Sequence, residues 1–112
     1  MNPEIVISVV LTKSIQKGGN YATVKGVSNI LKKIKDEFDD IEGIYFKRIP
    51  GGFYSDNVEE FVGHLLLWDF AKQDSPIILT EEGEELLREN VAIAKKTDPQ
   101  RYSMIENYLT RI

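Results

Sequence analysis

The 112-residue sequence contains no cysteine. That absence excludes a disulfide framework, thiolate zinc clusters and thiol chemistry, and it agrees with a reducing compartment. No apolar run approaches the roughly 18 residues that a membrane span needs. The one apolar burst, residues 5–11, lacks the basic flank and small-residue cleavage site of a signal peptide, so a cytoplasmic protein that avoids membranes is expected. There is no Walker loop, no dinucleotide fingerprint and no nucleophile motif. Lys17-Gly18-Gly19-Asn20 has glycines, but not the spacing or the following Lys-Ser/Thr of a phosphate cradle. Neither an enzyme nor a cofactor is expected.

What is present fits an ordinary globular chain: 42% hydrophobic and 29% charged residues argue against wholesale disorder. The length suits one domain over residues 1–112. The net charge is −4, and its placement is uneven. Residues 1–50 carry eight Lys/Arg against six Asp/Glu, whereas residues 51–112 carry six against twelve. Nucleic-acid affinity comes largely from phosphate neutralisation, so any such contact has to come from the N-terminal half.

Start and stop signals divide the chain. Asn2-Pro3-Glu4 reads as an N-cap, a first helical proline and a dipole-compatible acid, predicting a helix to about Gln16; the β-branched density of residues 5–10 also fits a buried strand. Thr23 can cap a second helix with Val24, Val27, Leu31, Ile34, Phe38 and Ile41 on its apolar face. Its outer face carries Lys25, Lys32, Lys33 and Lys35 early and Asp36, Asp39 and Asp40 late, an order unfavourable to the helix dipole, so packing must hold it. Residues 44–49 read as a short strand or an irregular helix end. Gly51-Gly52 is a loop, and Ser55 and Asp56 open a helix over residues 56–70, with Asp56 and Glu59 spaced as in a capping box. That helix becomes apolar nearly all round at residues 65–70, which predicts burial on more than one side. Residues 71–75 read as a polar loop and residues 76–79 as a strand. Thr80 caps a helix to about Lys96, and Asp98-Pro99 restarts a final one with Tyr102, Ile105, Leu109 and Ile112 in heptad-like spacing.

At Gly52-Phe53-Tyr54-Ser55 and Leu79-Thr80-Glu81-Glu82-Gly83 the chain resembles prokaryotic winged-helix proteins of the YwgA-like and Panacea (SocA antitoxin-like) families. The second motif also resembles the wing end of PadR- and MarR-type regulators. The likeness covers residues 5–87 in order of elements and only these two motifs in residues, and Phe53 stands where such families often have proline. It implies a mainly α fold with a short β-wing: a winged helix-turn-helix with additional N- and C-terminal helices. It also implies transcriptional regulation or antitoxin activity and no catalytic residue, although a shared fold does not carry function with it.

Four candidate sites follow. Lys25, Lys32, Lys33 and Lys35, with Lys47 and Arg48, are the concentrated positive charge and the candidate contacts to double-stranded DNA, with Tyr21 and Tyr45 nearby; the alternative, favoured by the interleaved acids, is an ordinary amphipathic outer face. The helix from Asp56 offers Asp56, Glu59, Glu60 and Asp69 and no Lys or Arg, which opposes its entering a groove. Asp56, Glu60 and His64 share a helical face at metal-ligand spacing, yet no second helix supplies a matching set, so a solvated acidic face is the expectation and no metal. Tyr102, Ile105, Leu109 and Ile112, with the apolar excess of residues 65–70, suggest a homodimer with residues 98–112 as its element, the competing possibility being that the stripe packs within the chain against residues 5–11. The expected function is a winged-helix DNA-binding regulator. The alternative is a protein-interaction or dimerisation module that has kept the scaffold without binding nucleic acid.

Overall fold

In the computed structural model, which describes residues 1–39 and 41–112, helix α1 (Pro3–Lys17) is the element around which the others pack. Asn2 caps it, its side chain accepting from Ile5 N at 2.9 Å, and Pro3 occupies the first turn. The residues from Ile5 to Leu11 are buried without a break. A helix apolar all round must be covered on every side, and α1 touches the four other α-helices of the fold. The helical reading of residues 5–11 therefore holds over the strand. Its two buried hydroxyls are satisfied: Ser14 donates to Val10 O at 2.9 Å. Ser8 donates to Glu4 O at 2.8 Å and accepts from Asn90 Nδ2 at 3.0 Å.

A 3-10 turn (Gly19–Tyr21) leads to α2 (Val24–Phe38), capped by Thr23, which accepts from Gly26 N at 2.9 Å. Val27, Ile30, Leu31 and Ile34 form its buried stripe. Asp39, at φ 50, ends it in the left-handed region. Ile41 is buried beyond the helix end, and Asp40, assigned by the sequence to the outer face of α2, lies outside the described residues.

The chain then makes a hairpin of β1 (Lys47–Ile49) and β2 (Gly52–Tyr54), pairing Lys47 with Tyr54, Arg48 with Phe53 and Ile49 with Gly52. The strand expected over residues 44–49 is thus only its last three residues. The expected Gly51-Gly52 loop is a Pro50-Gly51 turn, with Gly51 at φ 86, where a side chain is strained. Helix α3 (Asp56–Leu67) is capped by Ser55 rather than Asp56, so Glu59 is one position too late for a capping box and bonds to Tyr54 instead. It stops three residues before the expected Phe70. Phe70 N donates to Leu65 O at 2.7 Å and Asp69 N to Leu66 O at 3.3 Å, with Asp69 at φ 61. Those two bonds form a Schellman motif with aspartate in the place glycine usually takes. Burial on several sides does not follow: Leu65 is buried, but Leu67 and Trp68 are 74% and 67% exposed.

The expected polar loop at residues 71–75 is mostly strand. β3 (Ala71–Asp74) pairs antiparallel with β4 (Ile77–Leu79) through an irregularity between Ala71 and Gln73. Helix α4 (Glu81–Thr97) starts at Thr80, and Asp98 both ends α4 and caps α5 (Pro99–Thr110). The fold is mainly α with two small antiparallel hairpins. Among the described residues no helix is long and apolar enough to cross a membrane.

Candidate nucleic-acid interface

Two adjacent polar residues of α2 fasten the first hairpin and α3 in place. Asn29 Oδ1 accepts from Phe53 N at 2.8 Å, and a Cβ at Gly52 would lie 2.3 Å from that oxygen, so glycine is needed for the approach. Ser28 Oγ accepts from Ser55 N at 3.1 Å while donating to Val24 O at 2.7 Å. Ser55, fully buried, in turn accepts from Val58 N at 3.4 Å. The Gly52-Phe53-Tyr54-Ser55 motif is therefore a docking device against α2, and its chemistry is structural. The sequence reading did not find Asn29 or Ser28. The available signal was Ser28 itself, a hydroxyl beside Val27 on the apolar stripe.

The hairpin sorts the six candidate cations. Neighbouring positions of a strand face opposite ways, so Arg48 and its partner Phe53 lie on one side and Lys47 and Tyr54 on the other. On the first side, Lys32 Nζ stands 5.0 Å and the Arg48 guanidinium 6.0 Å from the centre of the Phe53 ring. Lys25 Nζ donates to Pro50 O at 3.3 Å, which places it at the turn. On the second side, Lys47 pairs with Asp56 at 3.2 Å and lies 5.3 Å from the Tyr54 ring. Lys35 donates to Ile44 O at 3.0 Å and stands 5.7 Å from both the Tyr45 and Phe46 rings. Lys33 is exposed on α2 and joins neither group. Tyr21, the other nearby aromatic of the sequence reading, pairs with Lys17 instead, 5.5 Å from its ring.

Electrostatically the sides differ. Lys32 shares its charge with Asp36 at 2.6 Å, but around Phe53 no carboxylate is bonded to Lys25 or Arg48 among the described residues. Lys47 has Asp56 beside it, and the next acid of α3, Glu59, accepts from the Tyr54 hydroxyl at 2.6 Å. Burial, aided by Glu59, pushes the Tyr54 hydroxyl up to about 12. Asp56, Glu59, Glu60 and Asp69 are all exposed, so α3 presents acid to solvent as its sequence requires. Glu60 and His64 line a cleft of about 390 Å³ against Asn2 and Glu4 of the α1 start. Among the described residues no group of three ligand-type side chains could hold a metal ion.

The four residues assigned to a subunit contact are placed as the competing, intramolecular possibility has them. Ile105 and Leu109 are buried, 1% and 2% exposed, inside the chain's own core, while Tyr102 and Ile112 are half-buried against it. The stripe faces inward because α5 packs on α1 and α4, with Tyr108 edge-on to Phe38 of α2 at 6.1 Å. Lys17 Nζ donates to the Ile112 carbonyl and Arg111 reaches Glu37 at 3.4 Å, which ties the end of α5 down. Among the described residues the large apolar side chains left most exposed are instead Leu67, Tyr45 and Trp68, followed by Ile93, Tyr21 and Ile78. No family model, no curated protein and no solved structure matches this chain.

Proposed function

We propose that this is a non-enzymatic, nucleic-acid-binding regulatory protein of winged-helix type, which sets the outer surface of α2 and the β1–β2 hairpin against a nucleic-acid backbone and keeps α3 beyond its first turn away from it. The observation that carries this reading is the Phe53 cluster, where Lys32 and Arg48 flank one half-buried ring of the hairpin and Lys25 stands at its turn. Surface cations of this kind position a protein on phosphates without reading bases. The acids of α3 explain why the hairpin must do the work: a recognition helix carrying Asp56, Glu59 and Glu60 repels the backbone it would approach. The order helix, helix, hairpin, helix, hairpin, helix, helix, with the Leu79-Thr80-Glu81-Glu82-Gly83 cap after the second hairpin, supports the winged-helix resemblance.

Replacing Lys32 and Arg48 together by Glu is expected to abolish binding to a duplex at low salt, measured by fluorescence anisotropy. Reversing Glu59 and Glu60 to Lys is expected to strengthen it. Wild-type protein that binds neither a duplex nor a single strand at low salt would remove this reading. A second reading, a protein-interaction module on the same scaffold, draws on the exposure of Leu67 and Trp68 beside the acidic α3.

A further inference from the structure

The side of the first hairpin that faces α3 holds a cavity of about 280 Å³, walled by Tyr45, Phe46, Lys47, Tyr54, Asp56 and Asn57. Half of its wall residues are aromatic, and Tyr45 is 71% exposed. The backbone of Tyr45 is nevertheless fixed, its N–H donating to Asn57 Oδ1 at 2.9 Å. That bond leaves Asn57 Nδ2 without a protein partner among the described residues, and the Asp56–Lys47 pair engages Oδ1 of Asp56. The rim thus presents one amide donor and one carboxylate acceptor beside the rings. Lys35 and Lys47 stand 5.7 Å from the Tyr45 ring and 5.3 Å from the Tyr54 ring.

We propose that this cavity receives one unpaired nucleobase of a single-stranded nucleic acid, stacked on Tyr45, with its flanking phosphates on Lys35 and Lys47. The chemistry is complementary at each point. Every base has a π-face for an aromatic platform, and its edge carries the donors and acceptors that Asn57 and Asp56 match. The Lys47–Asp56 pair is exposed on both sides and is held weakly, so a phosphate can share Lys47. A base inside a duplex already has both faces stacked and its pairing edge filled, so it cannot enter a pocket without being unpaired. The cavity lies near the lower end of the size of small-molecule sites, which run from about 300 Å³ upward, and so accommodates one ring system and not a base pair. Asp56, Glu59 and Glu60 border the same side, where they would meet the second backbone of a duplex.

This inference rests on the reading of the hairpin surface as a nucleic-acid face, and the experiment separates the two. Anisotropy titrations compare a labelled DNA strand of about 12 nucleotides with its duplex at equal salt, for wild type, Tyr45→Ala and Tyr45→Phe. The single strand is expected to bind at least about tenfold more tightly than the duplex, and Tyr45→Ala to weaken the strand alone by about tenfold while Tyr45→Phe restores it. Because the Tyr45 side chain is largely in solvent, the unfolding midpoint of Tyr45→Ala should match wild type. Duplex binding equal to or tighter than strand binding, or a Tyr45→Ala variant that binds the strand unchanged, overturns this inference and leaves the proposed function standing. Thymidine monophosphate that binds as tightly as the strand assigns the pocket to a free nucleotide and also overturns it. Failure of both DNA forms to bind overturns both.

Discussion

Thr80 serves two partners with one hydroxyl, donating to Asp69 O at 2.8 Å and accepting from Gly83 N at 3.1 Å. Three residues on, Gly83 is pressed so close to the preceding segment that an added Cβ would lie 1.8 Å from Phe70 O, the same carbonyl that accepts from Thr80 N at 3.0 Å. The Leu-Thr-x-x-Gly pattern is therefore a clasp between the end of α3 and the start of α4. Thr80→Ala should cost about 1–2 kcal/mol, as a lost cap does. Gly83→Ala should cost more, about 2–3 kcal/mol, because backbone has to move. Urea unfolding midpoints check both, and the reverse order would contradict the clasp. The Tyr54 and Tyr102 hydroxyls make a separate prediction. Each is pushed up to about 12, first by burial and then by a hydrogen bond to Glu59 or Glu106 respectively. An unfolded tyrosine ionises near about 10, so in alkali the unfolded chain loses these protons first. Their contribution is full below about pH 10 and is lost as pH rises toward 12. Tyr54→Phe should flatten the fall of the urea midpoint between about pH 10 and about pH 12, and an unaltered fall would refute the assignment.

Helix starts were the most legible elements, because a cap is local chemistry. Asn2-Pro3, Thr23, Thr80 and Asp98-Pro99 each open a helix as their residue types dictate. Helix ends and paired strands were less so. The stop of α3 depends on Asp69 adopting a left-handed conformation, and aspartate signals that far more weakly than glycine, so the apolar run through Trp68 read as continuing helix. β3 went unread because Lys72, Gln73 and Asp74 are all exposed and show no alternation; its pairing with Ile77 to Leu79 supplies what its own sequence does not. The candidate site was legible as a set of cations but not in its division, since only the hairpin register puts Arg48 with Phe53 and Lys47 with Tyr54. The heptad stripe of α5 was legible as apolar but left an inward and an intersubunit packing both open, because periodicity does not say which surface covers it. Leu109→Ala is therefore expected to destabilise the chain by about 2–4 kcal/mol through a core cavity. Sedimentation should give the same mass for variant and wild type; a dimer that dissociates on this substitution would restore the subunit contact.

Over the whole molecule, the charge asymmetry of the sequence becomes an asymmetry of surface. The excess of Lys and Arg in residues 1–50 is gathered on α2 and β1, while most of the acids of residues 51–112 occupy exposed positions of α3 and the first turns of α4. A net charge of −4 therefore coexists with a local positive face, and screening over about 10 Å at moderate salt lets that face act without the distant acids. The central claim is that nucleic acid lies on α2 and the first hairpin. Its most direct test is a backbone amide chemical-shift map of the labelled protein titrated with a short oligonucleotide at low salt. The expected shifts fall on residues 25–35 and 45–54, with the solvent side of α3 beyond its first turn and the whole of α5 unchanged. Shifts confined to residues 59–68 would place the ligand on α3 and contradict the account.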